Sequence, residues 1–313
     1  MDNENRYNKL NKFLKDKFGE RVLKICIDGN FTCPNRDGSK GVNGCIFCSN
    51  KGSGDHMQKK YISEQVKSYF NSYRSERANK FIVYFQNFTG TYDSLSNLKS
   101  KYDAALIDDR IVGLSVATRP DCINEEVAKL LNSYTDKYYV SVELGLQTSN
   151  DILGEKINRK YSSRDFEKAV HILNKYNIDV VAHIMVGLPG ETKKDIQDTV
   201  KFLNNINIQG LKIHSTYIVK DTKLEEMYNS NLYTPITLEY YLNNLVYVIT
   251  HISKNVVIHR VSGDAPKELL VAPSWNLHKK WIINGLDKIL REKNYIKVYI
   301  TAKLLTAIFS CIL

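Results

Sequence analysis

Cys33, Cys45 and Cys48 fall within sixteen residues, in the segment FTCPNRDGSKGVNGCIFC from Phe31 to Cys48. A C-x-x-C pair puts two thiolates on one metal centre within a tight turn, and a third thiolate from a longer loop completes a set of three. Gly38, Gly41 and Gly44 let the loop fold back closely and expose its backbone. Two centres take such a set. A four-iron, four-sulfur cluster held by three thiolates keeps one iron open, which a ligand carrying an amino and a carboxylate group can chelate. A structural zinc ion would take the same thiolates with His56 as a fourth ligand. Cys26, expected within a strand, reads as a small buried apolar residue, and Cys122 and Cys311 have no partner at ligand spacing.

Other chemistry-bearing residues recur at regular intervals. Thr118, Arg119, Pro120 and Asp121 form one group; the alternative there is a salt-bridged arginine in a loop that leads into a helix. Glu143 and Gln147 lie in VELGLQT, with Arg159 twelve residues after Gln147. A guanidinium suits a carboxylate because it donates two parallel hydrogen bonds; the alternative for Arg159 is a surface ion pair. His183 and the turn from Gly187 to Gly190 belong to HIMVGLPGET, and Arg260, Gly263, Asp264 and Pro266 to HRVSGDAPKELLVAPSW.

The elements that must position these groups alternate. Strands are expected at Val22–Ile27, Phe81–Phe85, Ile111–Ala117, Tyr138–Leu146, Val180–Val186 and Leu211–Ile218, all nearly continuous apolar runs. Helices are expected at Ser63–Arg77, Ser94–Leu106, Asn124–Ser133, Ser163–Tyr176 and Glu191–Asn205. In the fourth of these, Phe166, Ala169, Val170 and Leu173 share one helix face. Strands each followed by a helix imply an α/β fold with a parallel sheet. The candidate residues recur just after successive strands, where barrel active sites collect, so the expectation is a partial (β/α)6 TIM-type barrel over residues 1–219. Residues 220–313 are expected to form a small α/β extension packed on it, with a helix at Leu238–Ile252, a strand at Val256–Arg260 and a helix around Leu277–Arg291.

The 313-residue chain is ordinary in apolar and charged content, which excludes disordered and fibrous classes. No apolar run is long enough to span a bilayer, and Met1 to Lys17 lacks a signal-peptide core. A cytoplasmic protein without membrane partners is expected, and its six cysteines are read as ligands or free thiols rather than disulfides. The net charge of +10 fits a polyanionic partner, nucleic acid first, or an ordinary lysine-rich surface.

Together these motifs resemble the radical SAM superfamily, and closely its bacterial Elongator-like branch (the YhcC/YtqA type), from about Tyr7 to about Glu292. The first cysteine gap is longer than the superfamily's usual C-x3-C-x2-C but is shared with that branch. The resemblance implies a [4Fe–4S] cluster on Cys33, Cys45 and Cys48, with S-adenosylmethionine on the open iron and a 5′-deoxyadenosyl radical as its product. It implies that Phe47 packs near the adenine. Gly90 and Thr91, in FTGTY, would meet the methionine amino group through backbone carbonyls, without the acidic residue many relatives carry. It further places Thr118, Arg119, Glu143, Gln147, Arg159, His183 and Gly187 around the cofactor, and Arg260 to Pro266 on the substrate side.

The implied reaction remodels a carbon-5 substituent of the wobble uridine in tRNA, with flavodoxin or ferredoxin as electron donor. Radical chemistry on a small metabolite or tetrapyrrole is the alternative enzyme, and a zinc-stabilised RNA-binding module the alternative of another class. The acetyltransferase domain of Elongator's catalytic subunit is not expected in this chain.

Overall fold

A computed structural model of the chain describes residues 6–52 and 60–295. The elements in order are α1 (Leu10–Phe18), β1 (Val22–Ile27), α2 (Ile62–Phe70), β2 (Lys80–Phe85), α3 (Leu95–Asp103), β3 (Ile111–Thr118), α4 (Glu125–Asn132), β4 (Tyr139–Gln147), α5 (Asp151–Lys156) and α6 (Ser163–Lys175). They continue as β5 (Asp179–Val186), α7 (Lys193–Asn205), β6 (Gly210–Ser215), β7 (Ile218–Val219), α8 (Lys223–Asn229), α9 (Leu238–His251), β8 (Val257–Arg260), β9 (Leu270–Ala272) and α10 (Lys279–Glu292).

Side-chain caps set the helix starts. Ser162 with Asp165 and Thr192 with Asp195 form reciprocal capping boxes, so α6 and α7 begin where the first backbone donors find partners. The apolar stripe expected on α6 is the buried face. The long helix expected from Ser63 stops at Phe70. Beyond it Ser72 donates to the Tyr69 carbonyl and Ser75 to that of Phe70, capturing acceptors a continuing helix would use.

Seven strands, not six, pair in parallel in the order β1-β2-β3-β4-β5-β6-β8. The expected strand Leu211–Ile218 divides. β6 ends at Ser215, and Ile218–Val219 turns away to pair antiparallel with β9. The place of the seventh strand is taken by β8, from beyond residue 220, against β6. One face of every strand carries the apolar core shared with the helices, including Ile25, Val83, Leu114, Val142, Val180 and Ile213.

The other face curls into a half-barrel. Glu143 on β4 is met there by Ser115 and His183 from the adjacent β3 and β5, by Lys212 from β6, and by Lys24 from β1, a reach across two strands that a flat sheet could not make. The edge at β8 is blunted: Ile258 donates to the Asn8 carbonyl at 2.7 Å, and α1 lies against both β1 and β8. Behind it, Tyr241 of α9 donates to the carbonyls of Ile213 and Val261, fastening the C-terminal helices to the strands. No described helix is long and apolar enough to cross a membrane, and the apolar run after Val298 lies outside the described residues.

Candidate active site

The cysteine segment leaves the C-terminal end of β1 and lies over the ends of the strands that follow. Its backbone is tied at several points. Gly44 donates to the Asn35 carbonyl, Ile46 to that of Ile157, and Leu224 at the start of α8 to that of Ile46. Asn158, in the left-handed region at φ 56°, donates its amide to the Gly44 carbonyl at 2.7 Å, and Asn35 donates to the Asn158 carbonyl at 2.6 Å. Arg36 holds the carbonyls of Cys48 and Ser49 at 2.8 Å each. Gly41 admits no larger residue, because a Cβ there would stand 2.3 Å from Asn35 Oδ1.

This loop gathers the three thiols. Burial pushes the Cys45 thiol up to about 12, Cys48 and Cys33 push in the same direction, and Arg119 opposes them. Such a thiol becomes a thiolate once a metal takes the proton's place. The Asn35 amide stands 3.9 Å from Cys45 Sγ, while its buried Oδ1 has no partner. Three soft sulfur donors beside one guanidinium fit an iron–sulfur cluster. Among the described residues no three His, Cys, Asp or Glu side chains converge on a single ion; the thiolates of a four-iron cluster each take a different iron and need not do so. His56 and Cys311 lie outside the described residues.

The remaining expected residues divide by exposure. Cys33, Cys45, Cys48, Phe47, Gln147 and His183 keep part of their surface. Phe47 packs against the small apolar cluster of Ile46, Ile157, Leu188 and Leu224 beside the mouth of the barrel. Gln147 sits at a register shift at the end of β4 with φ 59°, a geometry that redirects its side chain. Its Oε1 accepts from Tyr161 at 2.9 Å.

Gly90, Thr91, Thr118, Arg119, Glu143, Arg159 and Gly187 are buried. The Gly90 carbonyl accepts from Tyr102 at 2.7 Å. The Thr91 and Thr118 hydroxyls bond each other at 2.6 Å, and Thr91 also binds the Cys122 carbonyl. Arg119 forks onto Asp121 with two bonds of 2.9 Å. Gly187, at φ 94°, gives its N–H to Glu191 and receives Tyr233 on its carbonyl.

Arg159 departs furthest from expectation. It is wholly buried rather than turned to a ligand or to solvent. Its guanidinium donates to the carbonyls of Leu146, Thr148 and Tyr161 and to Asp151 at 2.7 Å. It positions the turn after β4 from behind. Cys26 also departs: its surface is exposed, not packed in the core. It opens into the half-barrel between strands, where Lys212, Lys24, Arg260 and Glu143 surround it and the flanking walls still push its thiol up.

Sequence reasoning missed the polar interior below the cysteine loop. Lys24 and Lys212 both bind Glu143, and Lys212 also meets Tyr84 Oη at 3.3 Å. The signal was there: two lysines interrupt otherwise apolar strand runs, and inward-facing charge in a barrel strand has to serve a partner. Burial, opposed by Glu143, lowers His183 to about 4, leaving it neutral beside that carboxylate. A cavity of about 330 Å³ lined by Phe13, Lys17, Tyr139 and Asp179 lies at the opposite, N-terminal end of the strands, away from the thiols.

Comparison with known proteins agrees with this architecture. The sequence model of the Radical SAM superfamily matches residues 38–203, and that of the Radical_SAM C-terminal domain matches residues 208–292. YtqA of Bacillus subtilis is 33% identical over 295 residues, covering 93% of this chain and 91% of that protein. The tRNA uridine(34) acetyltransferase of Dehalococcoides mccartyi is 29% identical over 65% of this chain but only 45% of that protein. The solved structure of the archaeal Methanocaldococcus infernus Elp3 superposes with a TM-score of 0.66 at 18% identity, over 88% of this chain and 63% of that one, and so shares the fold. A half-barrel with a three-cysteine loop over its strand ends, matched by both family models along most of its length, makes this chain a member of the radical SAM superfamily and of its Elongator-like branch.

Proposed function

We propose that this radical SAM enzyme holds a [4Fe–4S] cluster on Cys33, Cys45 and Cys48, binds S-adenosylmethionine on the exposed side of that loop, and acts on the wobble uridine of tRNA. The observation that carries the chemical part is the gathering of three thiols around Cys45, beside Arg119, at the strand ends of the half-barrel. When bound, the cluster and S-adenosylmethionine supply a carbon-centred radical able to abstract hydrogen. The chain's own residues orient and shield. Asn35, Arg36 and Asn158 hold the loop, Phe47 offers an aromatic face for the adenine, and Gln147 projects from the bulge at the end of β4. Arg119, Arg159 and Gly187 keep the surrounding turns in place. A small one-electron carrier such as flavodoxin or ferredoxin is the reductant.

Two observations support tRNA as the substrate: the similarity to a tRNA uridine(34) acetyltransferase and the +10 charge, which favours phosphate binding through counterion release. The test compares wobble nucleosides by mass spectrometry. Reduced enzyme, S-adenosylmethionine and tRNA from a strain lacking the gene should give a mass change at the wobble uridine and faster 5′-deoxyadenosine formation. Both should vanish with Cys45→Ala. Unchanged wobble nucleosides in that strain would remove tRNA and leave a small metabolite as the substrate.

A further inference from the structure

Ion pairing inside the half-barrel is unbalanced. One fully buried carboxylate, Glu143, is shared by two ammonium groups, Lys24 at 2.6 Å and Lys212. Arg260, at the end of β8, adds a third cation within electrostatic reach of Cys26 and Lys212. Its partner Asp264, at 3.2 Å, stands half-exposed at the rim and is itself shared with Lys279 at 2.9 Å. His183 contributes no charge at neutral pH, being held down to about 4. An uncompensated buried cation is costly to desolvate, so surplus buried charge calls for a counter-ion. Here a positive charge is left over.

The place is also open and short of hydrogen-bond partners. Cys26 is exposed, and the Lys24 side chain keeps 17% of its surface. Beside the same group, His214 Nε2 and His259 Nδ1 are buried with no partner. The His214 ring stands 5.4 Å from that of His183. Buried polar atoms that find nothing within the protein are where a ligand's oxygens or ordered water belong.

We infer that the interior of the half-barrel is a receptor for an anionic group of the substrate, a carboxylate or a phosphate, seated against Lys24, Lys212 and Arg260 with Glu143 holding the lysines and Cys26 on the wall. The inference gives substrate chemistry to the site proposed above and rests on the reading that this face hosts the reaction. It applies to a nucleotide phosphate, an acidic base substituent or an acidic metabolite alike.

Cys26 makes the charge measurable. The full-length protein, anaerobic and without tRNA or S-adenosylmethionine, is alkylated at low salt with iodoacetate or with neutral iodoacetamide. Labelling is read on the Cys26 peptide by mass spectrometry. The ratio of the two rates cancels the thiol's own ionisation. Relative to the same peptide in urea, that ratio should rise about tenfold in the folded chain, the scale expected of a positively charged cleft. Lys24→Gln should lower it several-fold, and Arg260→Gln, at the partly exposed rim, should do so with less risk to folding, as checked by circular dichroism. Inorganic phosphate or acetate should slow the iodoacetate reaction at Cys26: protection by phosphate alone assigns a phosphate group, and by acetate alone a carboxylate. A ratio equal to that of the unfolded peptide, or no protection by either anion, overturns the proposal. Because the readout is at Cys26 and needs no tRNA, its failure is distinct from failure of the wobble-uridine reading.

Discussion

Lys24 on β1 reaches Glu143 on β4 with Nζ and Oε1 2.6 Å apart, across the two strands that lie between them in the sheet. Only a strongly curled sheet permits this, so the pair is at once a measure of the half-barrel and one of its fasteners. Lys212 completes the bond from the other side. Removing the carboxylate strands two ammonium groups. Glu143→Gln is therefore expected to cost about 3–5 kcal/mol, the range for breaking a buried ion pair. Urea unfolding curves measure it, and an unchanged midpoint would show that the lysines do not depend on Glu143.

Arg159 carries a prediction of stability. Its guanidinium satisfies three carbonyls and Asp151 with no exposed surface. Arg159→Ala should destabilise by at least about 3 kcal/mol, since charged hydrogen bonds contribute about 1.5–3 kcal/mol each. Arg159→Lys should recover little, because an ammonium cannot reproduce the planar fork. A thermal midpoint for Arg159→Ala equal to that of the parent would reject the positioning role.

The cysteines separate cleanly. Anaerobically purified protein should carry about four irons and four sulfides per chain. Cys33→Ala, Cys45→Ala or Cys48→Ala should each abolish them, and Cys26→Ser and Cys122→Ser should not. Stoichiometric zinc without visible absorption would reject the cluster.

Glu191 gives the chain a pH dependence. Burial pushes its carboxyl up to about 8, against the Gly187 and Leu188 backbone donors. In the unfolded chain it titrates near the ordinary value of about 4.3. Between these values the folded protein keeps a proton that the unfolded chain releases. Its contribution is therefore complete below the lower value and declines as pH rises through the upper one. Glu191→Gln keeps an acceptor for Gly187 and should flatten this decline between pH 5 and about 8. Parallel stability–pH curves for the two proteins would contradict the assignment.

Much of this was legible in one dimension. Nearly continuous apolar runs located β1 to β5 to within a residue or so. The step of three and four residues in α6 named its buried face. Cysteine spacing marked the loop because chelation is local: two sulfurs in a C-x-x-C turn are neighbours in any fold. Short elements escaped. α5 and β7 are too brief to show a period, and α5 begins where Asn150 caps it rather than where a pattern starts.

Local order in the sequence thus determined the strands, the helix faces and the thiol loop, each governed by interactions between residues close in the chain. Only the tertiary structure decided which charges meet. Lys24, Glu143 and Lys212 are separated by 119 and 69 positions and come together because the sheet curls. The same curling turned Cys26 from a core position into a surface of the interior, and the turn after β4 folded over Arg159 and enclosed it. Burial and charge balance are sums over neighbours from many strands, and no single stretch of sequence contains them.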